Sequence, residues 1–332
     1  MFNPRCKRFS AICLTFNCFG GILLLVIVMT KRQLLNRFLQ LLLLAAICYF
    51  FAPSFVDSFK KFNPSAWEIN YPLLIASLLL MQVVLYGQSA IWSTIITFFD
   101  KKVSYNKAFK IAYLSQLGRY LPGRIWQLFG MIYLAAKEGI TKEEATVSFI
   151  LSQIFTTPPG LLIVVLYLFL LETAKKYHPY SGFAWVGGAI CVVFLVIYFL
   201  PNLFRKMINL ATRLLRQPEV EFHLKKKVGM QVLGFYFVTW NLYGVSFYLF
   251  LKSILPGIEF NLVEIIGAWT LAYLVGYWAI ILPAGIGARE AILMLLLTPI
   301  VGGDRAGIAV IGARVWSMVG ELICTLLAWR VK

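Results

Sequence analysis

Long apolar segments recur along almost the whole chain, and they decide what it can fold into. The stretches Leu39–Phe51 and Leu161–Leu171 contain no charged residue. Only 14% of the side chains are charged and 60% are hydrophobic, whereas a soluble domain is about 25% charged. A helix of about 20 apolar residues crosses the core of a bilayer. The pattern therefore predicts an all-α polytopic integral membrane protein, and it excludes an ordinary cytosolic enzyme, a disordered chain and a fibrous protein.

The charged residues that remain are mostly basic. The 332 residues include 31 Lys and Arg against 14 Asp and Glu, which gives a net charge of +17. In a soluble protein this excess indicates nucleic acid, but in a membrane protein it indicates basic loops held on the cytoplasmic face. The six cysteines and two histidines have no spacing typical of a zinc site or a disulfide framework. We therefore expect no nucleic acid partner, no metal and no other cofactor.

Residues 1–30 are predicted to be an N-terminal extension or an accessory apolar segment. Ser10–Met29 is apolar and follows three basic residues, as in a signal peptide. No small residues suited to cleavage follow, and the next apolar element begins at Leu34. We interpret Met29 as the natural start, a hypothesis that mass spectrometry of the native N-terminus tests. A peptide from residues 1–28 would contradict it.

Two of the eight apolar elements after Lys31 contain a break. Element 108–136 is interrupted by Gly118 and by the sequence LPG at 121–123, and element 262–299 by the sequence LPAGIG at 282–287. Proline and glycine remove backbone hydrogen bonds that lipid cannot replace, so such breaks occur where protein or a wet cavity surrounds them. The full set of predicted elements is 34–52, 71–97, 108–136, 144–171, 182–200, 229–251, 262–299 and 306–329.

The basic residues between the elements indicate how the two broken elements sit in the membrane. If both enter and return as re-entrant hairpins, 18 Lys and Arg lie on the cytoplasmic side and 6 outside. If both cross, the split is 12 to 12. Cytoplasmic loops carry the excess of Lys and Arg. We therefore predict six crossings plus two re-entrant broken hairpins, 108–136 entering from the cytoplasm and 262–299 from outside, with both termini cytoplasmic.

The two halves of the chain contain similar short motifs in the same order. The sequence LYGQS at Leu85–Ser89 recurs as LYGVS at Leu242–Ser246, and Leu121-Pro122 recurs as Leu282-Pro283. Each half then has three crossings, so the halves have opposite orientations, and an inverted structural repeat of this kind is typical of transporters. The predicted organisation is a first repeat over 31–201, a basic cytoplasmic loop over 202–228, and a second repeat that starts at helix 182–200 and continues through 229–332.

Several ionisable residues fall inside the apolar elements. An ionised residue at the middle of a membrane costs about 2.5–3.5 kcal/mol even on the lenient insertion scale, and arginine cannot lose its proton to avoid that cost. Arg314 and Glu321 are seven residues apart on one predicted helix, and we interpret them as a structural ion pair. The other members of the set are Arg119, Arg124, Arg289 and Glu290.

These residues suggest a binding site for a lipid head group. The planar fork of arginine binds phosphate through two hydrogen bonds, and half-helices that begin after a break offer free N–H groups to anions. The predicted substrate-binding residues are Arg119, Arg124, Gln127, Arg289 and Glu290, with Glu290 contacting a polar or cationic part of the head group. The alternatives are that Arg119 and Arg124 extend to the cytoplasmic face, and that Gln127 and its polar neighbours bond between helices.

No catalytic residue is predicted. The nucleophile-elbow, zinc-protease and Walker A patterns are all absent from the sequence. Loop 202–227 has seven basic residues and two acids, and we interpret it as a cytoplasmic retention loop. The alternative is that it contacts anionic lipid or a partner enzyme, such as a glycosyltransferase or a lipid-synthesis enzyme.

The segments Gly118–Gln127 and Leu282–Glu290 resemble the flippase-like family, the transmembrane region of lysylphosphatidylglycerol synthases and the N-terminal part of the multiple peptide resistance factor. The resemblance covers about 31–330. It implies a protein of the inner membrane that moves a lipid between leaflets. In that family the cargo is an aminoacylated phosphatidylglycerol, and stand-alone members are linked to glycolipid or polysaccharide assembly. Because the sequence ends at Lys332 without the synthase domain, we do not expect synthesis of lysylphosphatidylglycerol.

Together these observations predict a lipid flippase or scramblase of the inner membrane, not an enzyme. Its cargo is a phosphate-bearing lipid: an aminoacylated phospholipid, a glycolipid or a polyprenyl-linked lipid. One alternative is a non-transporting accessory subunit for glycolipid or polysaccharide assembly. The other is a membrane-embedded transferase acting on a lipid-linked sugar, with Glu290 or Asp304 as the base.

Overall fold

A computed structural model describes the chain over 69–120, 125–170, 181–200, 203–204, 206, 210, 222–223, 225–279, 282 and 285–331. These residues belong to one compact unit that spans 51–332. Regular structure within these ranges is entirely helical. The predicted segments 1–30 and 34–52 lie outside the described residues, as does most of loop 202–227.

The helices follow the predicted apolar elements closely. Breaks fall where glycine and proline interrupt the hydrophobic pattern, because those residues cannot continue a helix without losing hydrogen bonds. In chain order the helices are α1 Tyr71–Ile96, α2 Tyr105–Gln116, α3 Ile125–Ala136, α4 Lys142–Leu170, α5 Ser181–Phe199, α6 Lys226–Ile254, α7 Leu262–Trp278, α8 Ala288–Val301 and α9 Gly303–Arg330.

Four of these helices are long and apolar enough to cross a membrane: α1, α4, α6 and α9. The outward face of α1 shows why lipid is the solvent. Ile75, Leu79 and Val83 are all exposed, and their spacing of four residues places them on one side of the helix. Exposed aliphatic side chains in such a row are stable against hydrocarbon but not against water. The all-α, membrane-embedded class is thus confirmed.

Four helices come in two short pairs, which we call the broken pairs, α2–α3 and α7–α8. Helices α2 and α3 have 12 residues each, so each is about 18 Å long and shorter than the hydrocarbon core of about 30 Å. Helices α7 and α8 have 17 and 14 residues, or about 25 and 21 Å. Each predicted broken element is therefore two helices with an interruption between them.

Glycines allow the chain to fold back at both interruptions. A Cβ atom on Gly118 would lie 2.5 Å from the backbone carbonyl carbon of Trp126. Gly285 has φ +67°, and a Cβ atom there would lie 2.3 Å from the carbonyl oxygen of Gly276. No other residue fits either position without moving the backbone, because a Cβ atom does not approach backbone atoms so closely and L residues avoid positive φ.

Lysine contacts gather several helix termini at one end of the unit, which we call the basic end. Lys107 Nζ, in the first turn of α2, is 2.7 Å from Glu138 Oε2, just after α3. Lys101, after α1, contacts Glu144 in the first turn of α4 at 2.6 Å.

The start of α6 and the end of α9 also lie at the basic end. Lys225 Nζ, next to α6, is 2.7 Å from Asp100 Oδ1. This hydrogen bond and the positive charge of Lys225 hold the pKa of the Asp100 carboxyl below its ordinary value. Lys110 Nζ donates to the Val331 carbonyl oxygen at 2.7 Å. At the opposite end, the backbone N–H of Asn70 donates to the Ser253 carbonyl oxygen at 2.9 Å, which joins the start of α1 to the end of α6.

The central packing places α1 antiparallel to α6 beside α9. Ser246 Oγ on α6 donates to the Ser77 carbonyl oxygen on α1 at 2.6 Å, and Trp316 Nε1 on α9 donates to Ser77 Oγ at 3.1 Å. A buried aromatic cluster continues from there, in which the rings of Phe247 and Trp269 stack at 4.2 Å. Helix α7 is thereby held against α6 and α9, next to the second interruption.

Candidate functional site

Arg289 is a buried cation at the start of α8. It is 6% exposed. Its guanidinium carbon lies 4.1 Å from the ring centroid of Trp269 and 4.7 Å from that of Tyr273. Both rings come from one face of α7, and Gly276 on the same helix leaves room for α8, since a Cβ atom there would lie 2.8 Å from the Arg289 Cβ. Aromatic faces attract the cation, but they accept no conventional hydrogen bond from it.

Three buried polar atoms in this region have no hydrogen-bond partner among the described residues: Arg289 Nη2, Trp269 Nε1 and Tyr243 Oη. We call them the donor cluster, because each can donate a hydrogen bond. Their side chains adjoin one another, since the Tyr243 and Trp269 ring centroids are 5.1 Å apart. A buried polar group left without a partner costs about 1–3 kcal/mol, so the arrangement suits a ligand that accepts hydrogen bonds.

Glu290 follows Arg289 but is turned toward the protein. Its Oε2 accepts a hydrogen bond from the Gly287 N–H at 2.7 Å, and its Oε1 lies 3.4 Å from Arg314 Nη1 on α9. Gly287, the N-cap residue of α8, has no side chain that could accept a hydrogen bond, and Glu290 in the first turn caps the Gly287 N–H. The Glu290 carboxylate therefore offsets part of the positive charge at the N-terminus of α8.

Arg119 joins the other broken pair to the same helix α9. It lies in the short 3-10 turn Leu117–Tyr120 at the interruption of α2–α3, and its Nη2 donates to Glu321 Oε1. Glu321 is buried, and the two residues are 202 positions apart in sequence. Arg119 thus contacts α9 inside the protein.

Arg314 and Glu321, which the sequence predicts to be an ion pair, each have another partner in the described part of the chain. The two residues are separated by seven positions, or about 10 Å along the axis of α9. Each residue instead reaches a different broken pair: Arg314 contacts Glu290 beside α8, and Glu321 contacts Arg119 beside α2. Helix α9 thus contacts both broken pairs through ion pairs, and it supplies the arginine of one pair and the glutamate of the other.

Tyr243 links the two charged regions. Its side chain is fully buried, and its ring centroid lies 5.4 Å from that of Tyr273 on α7 and 6.1 Å from that of Trp316 on α9. Tyr243 on α6 therefore adjoins both the aromatic rings that contact Arg289 and the helix α9 that carries Glu321.

Two other predicted site residues are not part of this region as described. Gln127 is half-buried in the first turn of α3, and Arg124 lies outside the described residues. The sequence analysis did not identify Tyr243, Trp269 or Tyr273. The available signals were the place of Tyr243 in the repeated LYG motif and the four-residue spacing of Trp269 and Tyr273 around the helix.

Within the described ranges, no group of three His, Cys, Asp or Glu side chains is arranged to hold a metal ion. The donor cluster also offers no carboxylate or imidazole. Its chemistry is that of hydrogen-bond donors and one permanent positive charge, which fits an anion.

Comparison with known proteins identifies the family. No curated protein matches the chain. Residues 23–327 match the family described as "Lysylphosphatidylglycerol synthase TM region", which is the family that the Gly118–Gln127 and Leu282–Glu290 segments resemble. Because this match covers most of the chain, the protein belongs to the family of lysylphosphatidylglycerol synthase transmembrane regions.

Proposed function

We propose that the protein is a lipid flippase or scramblase that moves a phosphate-bearing lipid between the leaflets of the inner membrane. The observation that carries this proposal is Arg289, a permanent cation buried in the donor cluster with an unbonded Nη2. Such a charge is costly in a membrane unless an anion accompanies it. A lipid phosphate supplies the anion while its acyl or prenyl tails stay in the hydrocarbon.

The proposed topology is six crossings and two re-entrant hairpins. The 2.7 Å contact between Lys107 and Glu138 supports entry and return of α2–α3 at the basic end. Helix α9 ends there too, through Lys110 and Val331. Its 28 residues extend about 42 Å, so it begins at the opposite end, directly after α8. Helix α7 begins near the end of α6 at that same end, which supports entry of α7–α8 from the other side.

The same order of elements supports an inverted repeat. Helix α1 is followed by the α2–α3 pair and α4, and helix α6 is followed by the α7–α8 pair and α9. Helices α1 and α6 carry the two LYG motifs and pack antiparallel, as the bond from Ser246 to Ser77 and the bond from Asn70 to Ser253 indicate. We assign the basic end to the cytoplasm because its lysines match the expected excess on that side.

In this proposal the ion pairs and the donor cluster have different roles. Arg119–Glu321 and Arg314–Glu290 hold the two interruptions against α9, while Arg289, Trp269 and Tyr243 replace the water around a head-group phosphate. Motion of one repeat relative to the other then exposes the cluster to the opposite leaflet. The engagement of Glu290 with Gly287 and Arg314 favours transport over a transferase that uses Glu290 as its base.

Reconstitution into liposomes tests the proposal. Fluorescent phospholipid is placed in both leaflets, and a membrane-impermeant reductant is added outside. The reductant bleaches the outer leaflet at once, and the fraction that is bleached afterwards reports the exchange of lipid from the inner leaflet. Wild type and Arg305→Gln, which changes an exposed arginine at the start of α9, are expected to exchange lipid, whereas Arg289→Gln is expected to lose exchange. Equal exchange by all three proteins, or none by wild type with any phospholipid, would refute the proposal.

A further inference from the structure

Exposed aromatic side chains lie at the helix termini that form the basic end. Tyr105 begins α2 and Tyr133 lies in the last turn of α3, two termini that Lys107 and Glu138 join. Both tyrosines are exposed. Trp329, next to the last residue of α9, is also exposed. Exposed tyrosine and tryptophan at one level of a membrane protein are typical of the interface between membrane and water, so the basic end is expected at the level of the lipid head groups.

The end of α5 lies at the same level. Tyr198 Oη in the last turn of α5 donates to the Lys226 carbonyl oxygen at 2.8 Å, and Lys226 is the first residue of α6. The start of α6 belongs to the basic end through the contact of Lys225 with Asp100. Phe199, the last residue of α5, is exposed and so adds another ring to this level.

Two lysines of the basic end lie over two of these rings. Lys137 Nζ is 4.6 Å from the ring centroid of Tyr133, and Lys226 Nζ is 6.0 Å from that of Phe199. Both lysines are exposed. The face of a ring attracts an ammonium group but does not use its three N–H donors, which suit the oxygens of a phosphate. The same ring offers an apolar surface to the upper part of an acyl chain.

The lysine–aromatic contact at the opposite end is built differently. Lys252 Nζ is 5.7 Å from the ring centroid of Phe260, but that ring is buried and Lys252 donates to the Ile258 carbonyl oxygen at 3.0 Å. Exposed carboxylates also occur at this end, on Glu259 and Asp304, and they repel an anion. The open lysine–aromatic pairs of the basic end therefore suit an anionic head group better than this contact does.

From these contacts we infer that the basic end binds anionic phospholipids of the adjoining leaflet at two sites, one formed by Lys137 with Tyr133 and the other by Lys226 with Phe199. In each site the ammonium group contacts the lipid phosphate and the ring contacts the lipid below it. This binding surface is separate from the donor cluster, and it does not depend on the proposed transport. Further exposed lysines of the same end increase the attraction for anionic lipid: Lys102, Lys142 and Lys227.

Photolabelling in liposomes tests this inference without a transport measurement. Wild type is reconstituted in phosphatidylcholine with a trace of phosphatidylglycerol that carries a photoactivatable group at the head-group end of one acyl chain, and mass spectrometry identifies the labelled peptides. Peptides that contain Tyr133 or Phe199 are expected to be labelled about fivefold more than with the matching phosphatidylcholine probe, the factor that one lysine near the membrane surface contributes. Equal labelling by the two probes would overturn the inference.

Single lysine variants assign each site. Lys137→Gln is expected to lose the preference for phosphatidylglycerol at the Tyr133 peptide and to keep it at the Phe199 peptide, and Lys226→Gln is expected to do the reverse. The unaffected peptide reports that the variant is folded. The matched control Lys252→Gln is expected to keep both preferences. If both lysine variants keep the preference at both peptides, the inference is wrong.

Three further conditions distinguish this surface from other anion sites. Sodium chloride at about 1 M is expected to reduce the preference because it screens exposed charges, and a preference that salt does not change would overturn the surface assignment. Millimolar inorganic phosphate is expected to have no effect, whereas displacement of the probe would assign the lysines to a free anion. Arg289→Gln is expected to keep the preference at both peptides even though it loses lipid exchange. Loss of the preference in that variant would assign it to the interior site and overturn the inference.

Discussion

The ion pair between Arg119 and Glu321 gives a prediction whose size can be worked out from the structure. The Glu321 side chain is 7% exposed and that of Arg119 is 19% exposed, so water screens the pair only slightly. Removal of one member of a buried pair costs about 3–5 kcal/mol. Because the Arg119 side chain is partly exposed, we expect Glu321→Gln to lower the free energy of unfolding by about 3 kcal/mol, at the bottom of that range.

A double-mutant cycle isolates this pair from the other contacts of its members. The free energy of unfolding in detergent is measured for wild type, Arg119→Gln, Glu321→Gln and the double variant, and we expect a coupling energy of at least about 1.5 kcal/mol. The exposed pair Lys107–Glu138, with side chains 47% and 26% exposed, serves as the control cycle, for which about 0–1 kcal/mol is expected. A coupling energy for Arg119–Glu321 no larger than that of the control would show that the pair contributes no more than an exposed one.

Two further predictions concern the interruption and the basic end. Gly285→Ala is expected to destabilise the protein by at least about 1–3 kcal/mol through backbone strain, because Gly285 has φ +67° and lies close to the Gly276 backbone. The control Gly234→Ala has open space around its Cβ position and is expected to be neutral or slightly stabilising. Melting temperatures in detergent measure both effects, and equal shifts would contradict the packing. The pKa of Asp100 is lowered by Lys225, so its contribution to stability is present above the ordinary Asp pKa of about 3.9 and is lost as pH falls through the lower folded value. The melting temperature of wild type should therefore exceed that of Asp100→Asn at pH 7, and this difference should shrink below about pH 4; a difference that grows in acid would contradict it.

The helices and their interruptions were predictable because the signals are local. Hydropathy marks each apolar element, and glycine and proline mark the breaks, so the predicted elements 108–136 and 262–299 each correspond to a broken pair. The buried position of Arg289 also followed from its place directly after the second break. These features depend on residues within a few turns of one another.

The partners of the buried charges were not predictable in the same way. Arg119 and Glu321 are 202 positions apart, and nothing in the local sequence links them. The seven-residue spacing of Arg314 and Glu321 suggested a pair within one helix and gave no sign of the contact that each makes with another element. The aromatic members of the site could not be singled out from the sequence, because the chain has 9 Trp and 16 Tyr. Only tertiary packing distinguishes Trp269 and Tyr243 from the tryptophans and tyrosines expected at membrane interfaces.

In the proposed topology, the two broken pairs enter the membrane from opposite sides and bring their charges to one interior region. Labelling of single cysteines with a membrane-impermeant thiol reagent, after replacement of the native cysteines, tests it directly. Lys107→Cys and Glu138→Cys bracket α2–α3, and Asn261→Cys and Arg305→Cys bracket α7–α8. We expect the first two to react only from the cytoplasmic side and the last two only from the outside. Reaction of Lys107→Cys and Glu138→Cys from opposite sides, or of Asn261→Cys and Arg305→Cys from opposite sides, would contradict this topology.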